Sequence, residues 1–135
     1  MNRAYLAVSL SFGRDLKFAK RIAEALNNLG YEIASSWVLD EDPSWGLSAE
    51  EITRRDLEAI EHSDVLIADV SRPSTGVGME IMYALMKGVK VVCVTKSGLP
   101  VSGLVAGSPK ISLIVIRDEE ELEEKLRGVL VGKKN

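Results

Sequence analysis

Apolar residues fall along this chain in two alternating rhythms. Short, mostly apolar runs at Tyr5–Val8, Tyr31–Ala34, Asp64–Val70, Val89–Val94 and Ile111–Ile116 predict five strands. Between them the spacing turns helical. From Gly13 to Leu29, the residues Leu16, Ala19, Ile22, Ala23 and Leu26 recur on one face, and Gly30 follows as a stop. Ser48 with Glu51 three residues on forms a capping-box pattern that opens a helix to about His62. Further helices are expected at Gly76–Lys87 and Asp118–Leu130. The stretch Thr95–Pro109, rich in Gly, Ser and Pro, has room for one helical turn, and the tail Lys133-Lys134 is expected to fray.

Near-continuous apolar strands that alternate with helices bury both faces, which implies a parallel sheet covered on each side. The expected architecture is α/β: a doubly wound three-layer sandwich, Rossmann- or flavodoxin-like, with a five-stranded parallel sheet in the order 2-1-3-4-5. In such sheets ligands sit beyond the carboxyl ends of the strands where the order switches. That rule selects the loops beginning at Ser9, Ser71 and Thr95.

Length and composition narrow this picture little. The 135 residues have the size of one domain, 1–135, with 46% hydrophobic and 27% charged residues. A formal net charge of -3 argues against a nucleic-acid backbone binder, which usually carries a basic face, yet a small phosphorylated ligand needs only local donors. No apolar run approaches the roughly 20 residues that cross a bilayer, and the opening residues lack a basic and apolar leader, so a cytoplasmic chain without membrane contact is expected. The single Cys93 lies in an apolar run and reads as a core thiol. With one Cys and one His, neither a metal site nor Cys–His or Ser–His–Asp machinery is expected, and acid–base work falls to carboxylates or tyrosine. His62 sits where it would cap the end of its helix.

The segment 69–80, DVSRPSTGVGME, leaves a strand, passes hydroxyl and glycine residues and enters a helix. Free backbone N–H groups and the positive end of the helix dipole suit an anion there. Ser74 and Thr75 add hydroxyls, while Gly76 and Gly78 either let a ligand approach the backbone or let the helix pack closely on a strand. Glu80 follows in a helix apolar nearly all round (Val77, Met79, Ile81, Met82, Ala84, Leu85, Met86), which is expected to be mostly buried. No cation stands three or four residues from Glu80 to neutralise it, so its carboxylate points to chemistry or to a donor from elsewhere. Asp56 lies at the border of the stripe Ile52, Leu57, Ala59 and Ile60, and by spacing alone belongs to the solvated face, as do Arg54 and Arg55. Trp37 and Trp45 are candidates equally for stacking on a base and for packing.

Residues 63–80, SDVLIADVSRPSTGVGME, closely resemble the signature of the 2′-deoxynucleoside 5′-monophosphate N-glycosidases, relatives of the nucleoside 2-deoxyribosyltransferases. The likeness runs from Tyr5 to the last helix. It implies cleavage of the N-glycosidic bond of a nucleoside 5′-monophosphate with no cofactor. Glu80 corresponds to the glutamate that attacks the anomeric carbon and Asp56 to the second catalytic carboxylate, against its solvated reading. Tyr5 matches the first-strand tyrosine, Ser9 the serine after it, and Ser74 and Gly76 the residues on the 5′-phosphate. Ser102 matches a serine that reaches the phosphate from a neighbouring subunit, which implies a homodimer with shared sites. The first loop departs from the family pattern: Val8 and Phe12 replace glycines and Ser11 stands in place of an arginine, so a reshaped sugar and base pocket is expected. Deoxyribosyl transfer between bases and nucleotide sensing without turnover are the alternatives.

Overall fold

The computed structural model describes residues 2–11 and 13–131. The five strands are β1 (Asn2–Ala7), β2 (Tyr31–Ile33), β3 (Val65–Asp69), β4 (Lys90–Lys96) and β5 (Ile111–Ile116). All pair in parallel, in the order β2-β1-β3-β4-β5, as the patterning implied. Helices α1 (Leu16–Asn28) and α5 (Leu122–Leu130) pack against each other, and α2 (Ala49–Glu61) packs against α3 (Thr75–Met86). The short α4 (Gly103–Ala106) lies beside β5 and is the helical turn expected in the loop after β4. The strand runs Ala4–Val8, Val65–Ala68 and Val91–Val94 are buried throughout and make the central layer of the core. Cys93 lies inside it, where burial pushes its thiol up to about 12 and leaves it unreactive.

Local chemistry sets the boundaries. Helix α1 starts at Leu16 rather than Gly13 because Asp15 is its cap, with Oδ1 accepting from Phe18 N. The capping box at Ser48 is present in both directions. His62 ends α2 with Nδ1 2.8 Å from the Glu58 carbonyl. Strand β1 begins earlier than its apolar run, since Asn2 and Arg3 pair with Tyr31 and Glu32 of β2 while pointing to the surface. Strand β2 is short, and the fully buried Ser35 continues its edge: its hydroxyl donates to Leu6 O and accepts from Leu6 N, each at 2.8 Å. The backbone just after Tyr5 is thereby held on the β2 edge, while β3 pairs along the other. A 3-10 turn follows at Ser36–Leu39, which places Trp37 over the end of β1.

One expectation fails. Helix α3 is not mostly buried: Val77, Ile81 and Ala84 face the core, while Met79, Met82 and Met86 are 69%, 51% and 77% exposed. A helix laid on one face of a sheet buries a single stripe, here at intervals of four and three residues. The opposite side of α3 is apolar and has no partner among the described residues.

Candidate active site

At the carboxyl ends of β1 and β3 a cleft of about 300 Å³ opens between β1, α2 and the start of α3. Tyr5, Asp56 and Glu80, from three different elements, all line it, so the structure brings together the three residues singled out for catalysis. The Tyr5 ring is 1% exposed and its hydroxyl donates to Glu80 Oε2. This is the donor from elsewhere in the fold that the Glu80 helix could not supply.

The electrostatics follow from burial. Glu80 keeps some exposure to the cleft as a residue, but its carboxylate lies deep, and desolvation is the main force that raises it to about 7. The Tyr5 hydrogen bond opposes that rise, the negative Asp56 adds to it, and the positive Arg55 reduces it. Asp56 is also raised, chiefly by desolvation, and is held back by its ion pair with Arg55 and by the Tyr5 hydroxyl. Two carboxylates about one hydroxyl cannot both ionise freely, so the pair retains a proton into the neutral range. Tyr5 itself is driven far above its ordinary value by burial and by the two negative neighbours, and it stays a donor at any working pH.

The rest of the cleft is an apolar wall with a polar rim. Leu6, Val8, Leu10, Val38, Ile52 and Leu57 line it, with Ser11, Thr53, Ser74 and Gly76. Ser9 is 5% exposed and is not among the residues that line the cleft, although Val8 and Leu10 on either side of it are. Val8 and Ser11, two of the three departures in the first loop, stand on the cleft wall; Phe12, the third, lies outside the described residues. Trp37 is buried, edge-on to Tyr5 at 6.2 Å between ring centroids, and Trp45 stacks edge-on to Trp37 at 5.4 Å. Only Trp37 of the two lines the cleft.

At the start of α3, Ser74 is the cap, its Oγ accepting from Val77 N at 3.3 Å. Asp69, buried at the end of β3, accepts from Ser71 N at 3.0 Å and folds the connecting loop. A side chain added at Gly76 or Gly78 would meet nothing, so these glycines do not serve close packing, and Gly76 leaves backbone open to the cleft. Ser102 stands apart from Tyr5, Asp56 and Glu80. It lines, with Ser74 and Thr75, a groove of about 610 Å³ between α3 and α4.

Sequence reasoning missed Arg55. Expected on the surface, its side chain is only 13% exposed and pairs with Asp56, Nε to Oδ1 at 2.9 Å. Adjacent residues on a helix point in different directions, so no helical spacing rule foresees that contact.

Comparison with known proteins places the fold in a family. The family model described as nucleoside 2-deoxyribosyltransferase matches residues 4–127. A Thermofilum pendens protein named "Putative 2'-deoxynucleoside 5'-phosphate N-hydrolase 1" is 34% identical over 137 residues, covering 96% of each chain. The 5-hydroxymethyl-dUMP N-hydrolase of Esox lucius is 35% identical over 135 residues, covering 93% of this chain and 91% of the relative. Among solved structures, a CMP N-glycosidase of Clostridium botulinum shares the fold with a TM-score of 0.76 at 23% identity, over 96% of this chain and 100% of that one. With the family model spanning nearly the whole fold, and the carboxylates, tyrosine and glycine-rich helix start within it, the chain belongs to the nucleoside 2-deoxyribosyltransferase family.

Proposed function

We propose that this protein hydrolyses the N-glycosidic bond of nucleoside 5′-monophosphates, giving the free base and (deoxy)ribose 5-phosphate. The observation that carries the reading is the convergence of Glu80 and Asp56 on one tyrosine hydroxyl, in a cleft that starts at the capped end of α3. The relatives' names support the substrate class.

In this mechanism the ionised Glu80, steadied by the Tyr5 hydroxyl, attacks C1′ of the sugar. The C1′–N bond breaks, its electron pair leaves with the base, and the proton held on Asp56 neutralises the departing nitrogen. Water then attacks C1′, returns a proton to Asp56 and frees the Glu80 carboxylate. The pair keeps one proton near neutrality, resting more on Glu80 before substrate binds, and the reactive form is the one in which that proton lies on Asp56 and Glu80 is charged. Ser74, the open backbone at Gly76 and the end of α3 hold the 5′-phosphate, with Ser9 behind them. Binding energy from that group orients the sugar for attack.

Ser102 acts from a second copy of the chain. The exposed Met79, Met82 and Met86 and the 82% exposed Leu104 form an apolar surface that extends from the cleft to the α3–α4 groove. A self-complementary contact there covers the unpartnered side of α3 and closes two clefts at once. Light scattering of the wild type and of Met82→Glu with Met86→Glu tests this: a dimer is expected to become a monomer, and a monomeric wild type would refute it. No described helix is long and apolar enough to cross a membrane, and a cytoplasmic pool of free nucleotides is the natural source of substrate.

The decisive assay incubates the protein with a panel of ribo- and deoxyribonucleoside monophosphates and reads released base by chromatography, with Glu80→Gln as control. Release from at least one monophosphate, abolished in the variant, is expected; release from none sinks the hydrolase. The family model's description keeps one rival in view, transfer of deoxyribose between bases. It predicts release from unphosphorylated deoxynucleosides and a new nucleoside when a second base is added.

A further inference from the structure

The guanidinium of Arg55 is enclosed in a way that an ordinary surface ion pair is not. Its carbon lies 4.1 Å from the centroid of the Trp37 ring and 5.1 Å from that of Trp45. Nε donates to Asp56 and Nη1 donates to the Pro43 carbonyl, each at 2.9 Å. Trp45 in turn donates from Nε1 to Asp40 at 2.7 Å. It takes up a φ of 55°, a left-handed conformation uncommon for a bulky residue and kept only where surrounding contacts over-determine it. Arg14 ties the same segment to the start of α1, donating to the carbonyls of Val38 and Asp40. The loop 40–47 is thus folded about one cation, and that cation touches one of the two cleft carboxylates.

We propose that Arg55 is a positioning residue: lodged in the corner that the Trp37 and Trp45 rings form, it fixes the direction of the Asp56 carboxylate and makes the geometry of the site depend on the 40–47 loop. The proposal rests on the catalytic role given to Asp56 above. A planar guanidinium suits the task because it can stack on indole faces while its N–H edge fixes a carboxylate, which a lysine cannot do. Among the described residues, the charged and titratable groups that face Asp56 are Arg55 on its own helix, Tyr5 on β1 and Glu80 on α3.

Two measurements separate this role from a merely structural one. The first needs no turnover. With Glu80→Gln as background, so that only one cleft carboxylate titrates, the Asp56 carboxyl is followed by carbon NMR as pH is varied. Arg55→Met is expected to raise its midpoint by about one pH unit through loss of the adjacent cation. Arg55→Lys, which keeps a charge but not the planar fork, is expected to restore most of that shift. The second is steady-state kinetics in the wild-type background. Both Arg55 variants, and more weakly Trp45→Ala at the exposed wall of that corner, are expected to lower kcat by roughly ten- to a hundredfold with little change in KM.

An unmoved Asp56 midpoint in Arg55→Met, or full kcat in Arg55→Lys, overturns the proposal. So does a Trp45→Ala protein with undiminished kcat. If Arg55→Met fails to fold, Arg55→Lys and Trp45→Ala decide the matter through kcat. Should the wild type release no base at all, the hydrolase reading fails on its own, while the NMR midpoint still reports whether Arg55 governs Asp56.

Discussion

Replacing Glu80 by Gln should make this protein more stable at neutral pH while abolishing its chemistry. Gln keeps the shape of the side chain and an oxygen to accept from Tyr5, but it removes the charge. In the wild type the carboxyl is raised from the 4.5 of a free glutamate to about 7, first of all because burial penalises its charged form. The native state therefore binds a proton over this interval that the unfolded chain has released. Stability then falls as pH rises from about 4.5 and stops falling above about 7. At ~1.36 kcal/mol per pH unit the whole interval is worth roughly 3 kcal/mol. Coupling to Asp56 broadens the transition, because the proton belongs to the pair. A third or more of a stability of about 5–15 kcal/mol is at stake at the lower end of that range. Urea unfolding of both proteins at pH 5, 6, 7 and 8, at one protein concentration because of any dimer, reads the difference directly. The variant should gain on the wild type steadily from pH 5 to pH 7 and no further by pH 8. A difference that stays within ~0.5 kcal/mol across that range would mean that the carboxylate sits in water or beside an unrecognised cation, and the account of the cleft would fall with it.

Two further substitutions probe the same cleft from its other sides. Tyr5→Phe keeps the buried ring and removes the hydroxyl that favours ionised Glu80; it should move the rise of kcat/KM with pH to higher pH and cost about tenfold in kcat, roughly 1.4 kcal/mol, in a pH–rate profile. Ser74→Ala removes both the cap of α3 and a hydroxyl at the cleft, so thermal unfolding should show a loss of about 1 kcal/mol, and KM for a nucleoside monophosphate should rise while kcat for any dephosphorylated substrate is unaffected.

The fold was legible because its dominant signal is local. Runs such as Val65–Ala68 and Val91–Val94 are apolar at every position, which only a strand covered on both faces tolerates, and the helices between them leave parallel pairing as the consequence. Caps at Asp15, Ser48 and Ser74 are equally local, and two of them shifted or fixed helix starts by side-chain chemistry that spacing alone does not resolve. Helix α3 shows where local reading ends. Its composition says only that it avoids water; it does not say whether the second apolar face meets this chain or another. Met79, Met82 and Met86 stand exposed for that reason.

The candidate site divides along the same line. Glu80 could be suspected from its own helix, because a carboxylate among Val77, Ile81 and Ala84 with no cation in reach is costly unless something distant supports it. The support is Tyr5, 75 residues away in sequence, and no periodicity links the two. Asp56 was harder, since its helix presents it at the edge of an apolar stripe, where a solvated carboxylate is the ordinary outcome. Its half-burial comes from the 3-10 turn and the 40–47 loop folding over α2 through Arg55, Trp37 and Trp45. Those contacts join residues of unlike type at irregular separations, one of them between immediate neighbours on a helix. A pattern with a period announces an element; a cluster assembled from four elements has none. The polar residues here therefore become intelligible only once the apolar ones have fixed where each strand ends and what the loops beyond it must enclose.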